Sequence, residues 1–342
     1  MQLIEVSGSN YEIGYKLGKH FKNYLNSVIK KYDEKIKYKN IYEDVKKMEN
    51  KLKREFPLYL DEIYGRADGA CLSRDSILLM FFPEIFKQPD GCTTLIMRNK
   101  DNKYLFSHNE DDRNYNSDNI ALVKYNYEDY WIIGYTMAEK LMGSSFAFNS
   151  YGMIFSSNYI YDTVVDLNNI SRYIMVRSIM NSKNIEEVIK KFEKHPVASA
   201  FSLNILDLKT NEAINVEKDI KDFYITKIED RYARSNHFLS KKENLPDIPK
   251  SSNFRYNKTN ELLNKLSIDS VKLYDLESIL NYETSDYYES IFKSPEKYND
   301  KSVTVANFSY DADFSKIIVK DFLDNTKLEF DIYKLVSMNE SN

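Results

Sequence analysis

The chain has 342 residues, 29% of them charged, and a formal net charge of −4. Such a length can bury a sizeable core, and the near balance of signs excludes the basic footprint of a nucleic-acid or anionic-membrane binder. Two cysteines, Cys71 and Cys92, are too few for a disulfide scaffold, and His20, His108, His195 and His237 are scattered without ligand spacing, so neither a metal centre nor a cofactor is expected.

The start, Met1-Gln2-Leu3-Ile4-Glu5-Val6, lacks the basic-then-apolar pattern of a secretion signal, and the longest apolar run, Ile77 to Phe82, is far short of a membrane span. A cytoplasmic protein is expected. Apolar residues at Ile13, Leu17, Phe21, Tyr24, Leu25 and Val28 have helical spacing and predict a helix from Tyr11 to about Tyr32. A charged helix should cover Tyr42 to Phe56 and end at Pro57, and a third should run from Tyr59 to Gly69, where Gly65 and Gly69 suggest close packing. Ser73-Arg74-Asp75-Ser76 opens a short apolar helix through about Phe86, so the first ninety residues read as helical.

The character changes at Gly91. Strands are predicted at Thr94–Arg98, Tyr104–His108, Ile120–Tyr127, Tyr130–Thr136, Ser144–Asn149 and Met153–Asn158, joined by short turns and so mostly antiparallel. Helices follow at Ser171–Met180 and Ile185–Lys194, the second capped by Asn184 with Glu187 in third position. A second strand set spans Phe201–Leu206, Glu212–Val216, Phe223–Ile228 and Tyr232–Ser235. A helical stretch from about Phe254 to Leu280 and a hairpin, Val303–Ser309 with Lys316–Lys320, complete an α+β chain of layered sheets with helices outside.

In Gln88-Pro89-Asp90-Gly91-Cys92-Thr93-Thr94, a turn delivers a cysteine onto the first residue of a strand. Residues two apart share a face, so Cys92 and Thr94 stand side by side. Gly91 lacks a Cβ and leaves its carbonyl open to attack, although a lone cysteine is more often a small buried hydrophobe. Asn109 and Asp111 share a face on the next strand and are expected to meet Cys92; the alternative is an acidic turn. Asn236 and Asn158 each end a strand, where a carboxamide could serve an oxyanion or cap a turn. Phe81, Phe82 and Phe86 read as core, or as the wall of an acyl pocket.

Five segments occur together in register: Gly8-Ser9-Asn10-Tyr11-Glu12-Ile13-Gly14-Tyr15-Lys16-Leu17-Gly18, Glu62-Ile63-Tyr64-Gly65-Arg66-Ala67-Asp68-Gly69-Ala70, Gly91-Cys92-Thr93-Thr94, Asn109-Glu110-Asp111 and Asn236-His237-Phe238. To about residue 260 the chain resembles the acyl-coenzyme A:6-aminopenicillanic acid acyltransferase family, the isopenicillin-N acyltransferase-like N-terminal-nucleophile hydrolases related to choloylglycine hydrolases. The resemblance implies a four-layer αββα sandwich and self-cleavage between Gly91 and Cys92. It also implies a helical small subunit, 1–91, that stays bound to a large subunit, 92–342.

Cys92 would then be the nucleophile. Asp111 would orient its amine or thiol, Thr94 would bond on the same face, Asn236 would stabilise the oxyanion and Asn158 would mark a further donor. Arg255 and Asn109 would bind substrate. The implied reaction is hydrolysis of a linear amide through a thioester. Transfer of an acyl group from coenzyme A to an amine, or a catalytically silent small-molecule binding protein, are the alternatives; homo-oligomerisation is left open. Glu110 stands where an aromatic residue is usual in the family and is followed by Asp112, and Asn307 stands where serine is frequent; both make the expected substrate uncertain.

Overall fold

The computed structural model describes residues 1–85, 91–113, 119–162, 164–243, 245–298 and 300–337. In chain order, β1 (Leu3–Ser7) leads into α1 (Asn10–His20), α2 (Lys22–Val28), α3 (Lys30–Lys35), α4 (Lys39–Glu55), α5 (Pro57–Ala70) and α6 (Arg74–Met80). Next come β2 (Gly91–Arg98), β3 (Tyr104–Arg113), β4 (Ile120–Asn126), β5 (Trp131–Met137), β6 (Phe146–Asn149) and β7 (Met153–Tyr159). After α7 (Arg172–Ile179) and α8 (Ile185–Lys194) run β8 (Phe201–Asp207), β9 (Glu212–Lys218), β10 (Phe223–Ile228) and β11 (Arg231–Arg234). The last elements are α9 (Lys250–Leu263), α10 (Leu273–Leu280), β12 (Ser302–Asp311), β13 (Lys316–Asp321), β14 (Thr326–Asp331) and α11 (Ile332–Ser337).

Helix α1 starts at a capping box: Ser9 Oγ accepts from the Glu12 amide at 3.3 Å, and Glu12 Oε2 accepts from the Ser9 amide at 2.8 Å. The single helix predicted to Tyr32 is broken at Phe21 (φ −87°, ψ 9°) and again at Ile29, both buried. Pro57 ends α4 as expected and also occupies the first turn of α5, where its missing N–H costs nothing. Asn184 caps α8, its Oδ1 accepting from the Glu187 amide at 2.9 Å. The predicted helix from Phe254 to Leu280 is two helices, α9 and α10.

Four glycines set the packing of α1 on α5. A Cβ at Gly14 or Gly18 would fall 2.0 Å from the Glu62 carbonyl oxygen or 2.2 Å from that of Arg66; one at Gly65 or Gly69 would fall 2.1 Å from that of Tyr11 or Tyr15. The two backbones therefore touch, and the glycines at spacing four on each helix make this approach feasible.

The strands form two sheets, β1-β4-β5-β6-β7-β8-β9-β10 and β11-β2-β3-β12-β13-β14. Helices α1 to α8 cover the outer face of the first sheet around Ile13, Leu17, Ile63, Phe81, Phe82, Ile132 and Phe155. The inner faces meet through Ile96, Phe106, Tyr135, Phe146 and Phe308, and α9 and α10 cover the second sheet with Leu95, Leu263, Leu276 and Leu280. The result is the expected αββα sandwich. Phe81 and Phe82 belong to the helix–sheet core, while Phe86 and the turn at Gln88, Pro89 and Asp90 lie outside the described residues.

Two strands escape the local pattern. β1 pairs in parallel with β4, Leu3 opposite Leu122, so residues 1–91 are not wholly helical. Its partner lies more than a hundred residues away, and five residues carry too little alternation to announce it. β14 pairs with β13 and is half-exposed, with polar Lys327 and Glu329 on its open side.

Candidate active site

Cys92 lies on β2 directly opposite Glu110 on β3, Thr93 opposite Asn109 and Gly91 opposite Asp111. The register follows from the hairpin: Arg98 pairs with Tyr104 across a turn in which Asn102 takes φ 60°, and each step back along β2 adds one along β3. The face expected for Asn109 and Asp111 is therefore corrected. They point with Thr93 toward α9 and α10, whereas Glu110 and His108 share the thiol's face toward the other sheet. Cys92 Sγ donates to Glu110 Oε2 at 3.2 Å.

Cys92 is 2% exposed, and its backbone is bonded outside the β2–β3 ladder. Its N–H donates to Asn236 Oδ1 at 3.1 Å, and its carbonyl accepts from Arg255 Nη1 at 2.5 Å. Both groups point to the edge that β11 has vacated, since β11 pairs only as far as Arg234 opposite Thr94. Arg255 Nη1 also donates to Thr93 Oγ1 at 2.8 Å, and its Nη2 to Asn236 Oδ1 at 2.6 Å. Two side chains thus stand in for the missing strand, and a planar fork of donors suits the task better than a lysine would. Arg255, expected at the substrate, is instead buried behind the nucleophile strand.

The other candidates separate by face. Thr94 Oγ1 donates to Asn158 Oδ1 at 2.9 Å and lies 2.8 Å from His108 Nδ1 and 3.2 Å from Ser156 Oγ. It is on Cys92's face, as expected. Because the Thr94 hydroxyl proton goes to Asn158, His108 Nδ1 carries the ring proton, and Nε2 accepts from Ser145 Oγ at 3.3 Å. Asn158 Oδ1 also accepts from Asn204 Nδ2 at 2.8 Å, and its own Nδ2 is buried with no hydrogen-bond partner among the described residues. Asn236 Nδ2, the expected oxyanion donor, is given to the Tyr159 carbonyl at 2.8 Å.

Asn109, expected to bind substrate, is fully buried; its Nδ2 donates to the Leu280 carbonyl at 3.0 Å, and its Oδ1 accepts from Asn307 at 2.8 Å. It ties β3 to α10 and β12. Asp111 sits beside the Gly91 backbone, where an added Cβ would meet its Oδ2 at 3.2 Å. Asp111 accepts from Lys293 Nζ at 3.0 Å and from Thr304 Oγ1 at 2.8 Å. Lys293, missed in the sequence, is fully enclosed; burial pulls its pKa down, and the Asp111 carboxylate opposes that shift. The unusually acidic rim is partly neutralised, because Asp112 pairs with buried Lys140.

The thiol looks into a narrow cleft shared with Glu110, Ser144, Ser157, Tyr159, Arg172 and Tyr173. The Arg172 guanidinium lies 4.1 Å from the Tyr159 ring centre. Sγ, a His108 ring nitrogen and a Glu110 oxygen all lie within 4.8 Å of one another, a set of types able to hold a transition metal. Scattered in sequence, His108 thus joins the site through strand pairing. Cys71 is exposed and forms no disulfide with Cys92.

Burial pushes the His108 pKa down to about 3, and burial with nearby Arg234 and Arg255 pushes that of His237 down to about 4; His20 and His195 are lowered too, chiefly by burial. Between these values and the ordinary 6.5 the unfolded chain binds more protons than the folded one, so stability is complete above 6.5 and declines as pH falls. Urea unfolding at pH 7 and pH 5 should show a loss at pH 5 that is smaller in a His108→Gln variant. Equal losses in the two proteins would sink this account of His108.

Residues 97–322 match the family described as acyl-coenzyme A:6-aminopenicillanic acid acyl-transferase. The match includes Asp111, Asn158, Asn236 and Arg255 and begins five residues after Cys92. The chain is 25% identical over 230 residues to beta-alanyl-dopamine/carcinine hydrolase of Drosophila melanogaster, covering 58% of each, so it spans under two thirds of that relative's length. Two solved structures are also similar. One is a mutant of conjugated bile acid hydrolase from Clostridium perfringens, at TM-score 0.49 and 14% identity over 72% of this chain and 94% of that one. The other is penicillin V acylase from Agrobacterium tumefaciens, at TM-score 0.47 and 11% identity over 72% of this chain and 87% of that one.

Proposed function

Because the chain belongs to the acyl-coenzyme A:6-aminopenicillanic acid acyl-transferase family, we propose that it is a self-processing cysteine hydrolase of linear amides. It cleaves itself between Gly91 and Cys92 and then works through a Cys92 thioester. The observation that carries this reading is the treatment of the Gly91–Cys92 amide. Its N–H is held by Asn236 Oδ1 instead of a strand, the following carbonyl is held by Arg255, and Asp111 packs against Gly91 on one face while the thiol opens to the cleft on the other.

Once cut, Cys92 carries an α-amine whose reference pKa of about 7.7–8.0 suits a base for its own thiol. The thiolate attacks the amide carbonyl, the amine proton goes to the leaving nitrogen, and water then attacks the thioester. Asn236 is the donor proposed for the tetrahedral oxyanion, which requires its Nδ2 to leave the Tyr159 carbonyl after cleavage; Asn158 is proposed as a second donor and Thr94 as its support. A single such donor contributes roughly 3–4 kcal/mol at the transition state.

The small subunit, 1–91, stays attached through β1 in the first sheet and through the core shared by α1, α5 and α6 with that sheet. Among the described residues no helix is long and apolar enough to cross a membrane, and we place the enzyme in the cytoplasm. The name of the Drosophila relative makes beta-alanyl-dopamine and carcinine the first amides to try. The test is the intact mass of purified protein under denaturing, reducing conditions, followed by hydrolysis of those amides. Two fragments, 1–91 and 92–342, with turnover of a linear amide are expected; one uncut chain would remove the reading.

A further inference from the structure

We propose that the Glu110 carboxylate is the base that takes the Cys92 thiol proton during self-cleavage of the Gly91–Cys92 bond; this rests on the self-processing reading above. The mature enzyme's amine cannot serve, because in the uncut chain the Cys92 nitrogen is an amide whose N–H is donated to Asn236 Oδ1 at 3.1 Å. A thiol of ordinary pKa, about 8.5, is only a few per cent thiolate near neutral pH, so the first attack needs an acceptor at hand.

Glu110 occupies the position directly opposite Cys92 in the β2–β3 pair. With Cys92's N–H and carbonyl both turned away from β3, this is a non-hydrogen-bonded pair, the type that brings facing side chains closest. Its Oε2 accepts from Sγ at 3.2 Å, and both residues are 2% exposed, so water competes little for that proton. His108 Nε2 lies 3.5 Å from the same oxygen.

The step balances. The S–H proton passes to Glu110 as sulfur bonds to the Gly91 carbonyl carbon and the carbonyl electron pair moves to oxygen. The pair returns, the C–N bond breaks, and Glu110 gives its proton to the departing Cys92 nitrogen, leaving an NH₂ group and a Gly91 thioester. Water then adds to the thioester, the C–S bond breaks, one proton of the water goes to sulfur and the other to the new Cys92 amine, and a Gly91 carboxylate and the Cys92 thiol result. Glu110 is unchanged at the end.

The experiment follows cleavage of newly synthesised full-length chain by intact mass over time, in the parent, in Glu110→Gln and in Glu110→Ala with added formate or chloride. Circular dichroism checks that each variant is folded. We expect Glu110→Gln to cleave on the order of 10² times more slowly or worse, as loss of a general base does. Formate, a small carboxylate, should speed cleavage of Glu110→Ala while chloride does not, a response that a mere packing role would not produce. Glu110→Gln cleaving at the parent's rate, or a slow Glu110→Ala that formate leaves slow, overturns the assignment to Glu110 alone. A parent that never cleaves overturns the self-processing reading and this step with it.

Discussion

A Cys92→Ala chain is expected to remain a single polypeptide of 342 residues and to hydrolyse no amide above background, a loss of several orders of magnitude. One sulfur serves both reactions in the proposed mechanism, so its removal abolishes both together. The change should be local. The main-chain groups of Cys92 are held by Asn236 and Arg255 whatever the side chain, and losing one small buried group costs only about 1 kcal/mol. Circular dichroism and the melting temperature should therefore stay close to those of the parent.

A Cys92→Ser chain should cleave slowly instead of not at all, since a hydroxyl can attack but is far less often ionised. Cys71→Ala serves as the control: Cys71 is exposed at the end of α5, away from the cleft, and its loss should leave processing unchanged. Intact mass read beside an amide-hydrolysis assay decides the matter. Fragments 1–91 and 92–342 from the Cys92→Ala chain would mean that another nucleophile or an external protease makes the cut.

Gly65→Ala should be the most damaging substitution far from the cleft. The added Cβ would lie 2.1 Å from the Tyr11 carbonyl oxygen and 2.8 Å from the Tyr15 nitrogen, both backbone atoms of α1 that no side-chain rotation can move. The two helices must separate along their whole contact, opening the core that they share with the first sheet. The cost should exceed about 4 kcal/mol, in the range where a single change leaves little folded protein. Gly152→Ala is the comparison. That glycine has φ +85°, and the nearest atom to an added Cβ is 3.7 Å away, so only backbone strain of about 1–2 kcal/mol is expected. Soluble yield and urea midpoints of the two variants measure the difference, and a Gly65→Ala protein as stable as Gly152→Ala would show that the helices can slide to make room.

The helix pair, the run of hairpins and the position of Cys92 on a strand were all legible without coordinates. Each follows from local signals: helical spacing at Ile13, Leu17 and Phe21, glycines in steps of four, alternation and turn residues from Thr94 onward, and a capping asparagine at 184. The parallel strand Leu3–Ser7 was not legible, because its ladder to Leu122–Asn126 is a long-range choice that five residues do not encode. The pairing of Asp111 with Lys293 was also hidden, since 182 positions separate them.

Within one strand the period of two is local, and from sequence alone Cys92 shares a face with Thr94, and Asn109 with Asp111. Which of those faces looks at which is a relation between strands, and it turns on a single residue of hairpin register. The turn that joins Arg98 to Tyr104 makes the choice: Glu110 and His108 meet the thiol, while Asp111 and Asn109 face the outer helices. Sequence by itself determined the layers of the fold and the place of Cys92 at the head of a strand with Thr94 on its face. Only the tertiary structure decided which carboxylate touches sulfur, and that Arg255 and Asn236 complete the sheet where β11 ends, because side-chain parity across strands and the reach of a distant helix depend on how the whole chain closes.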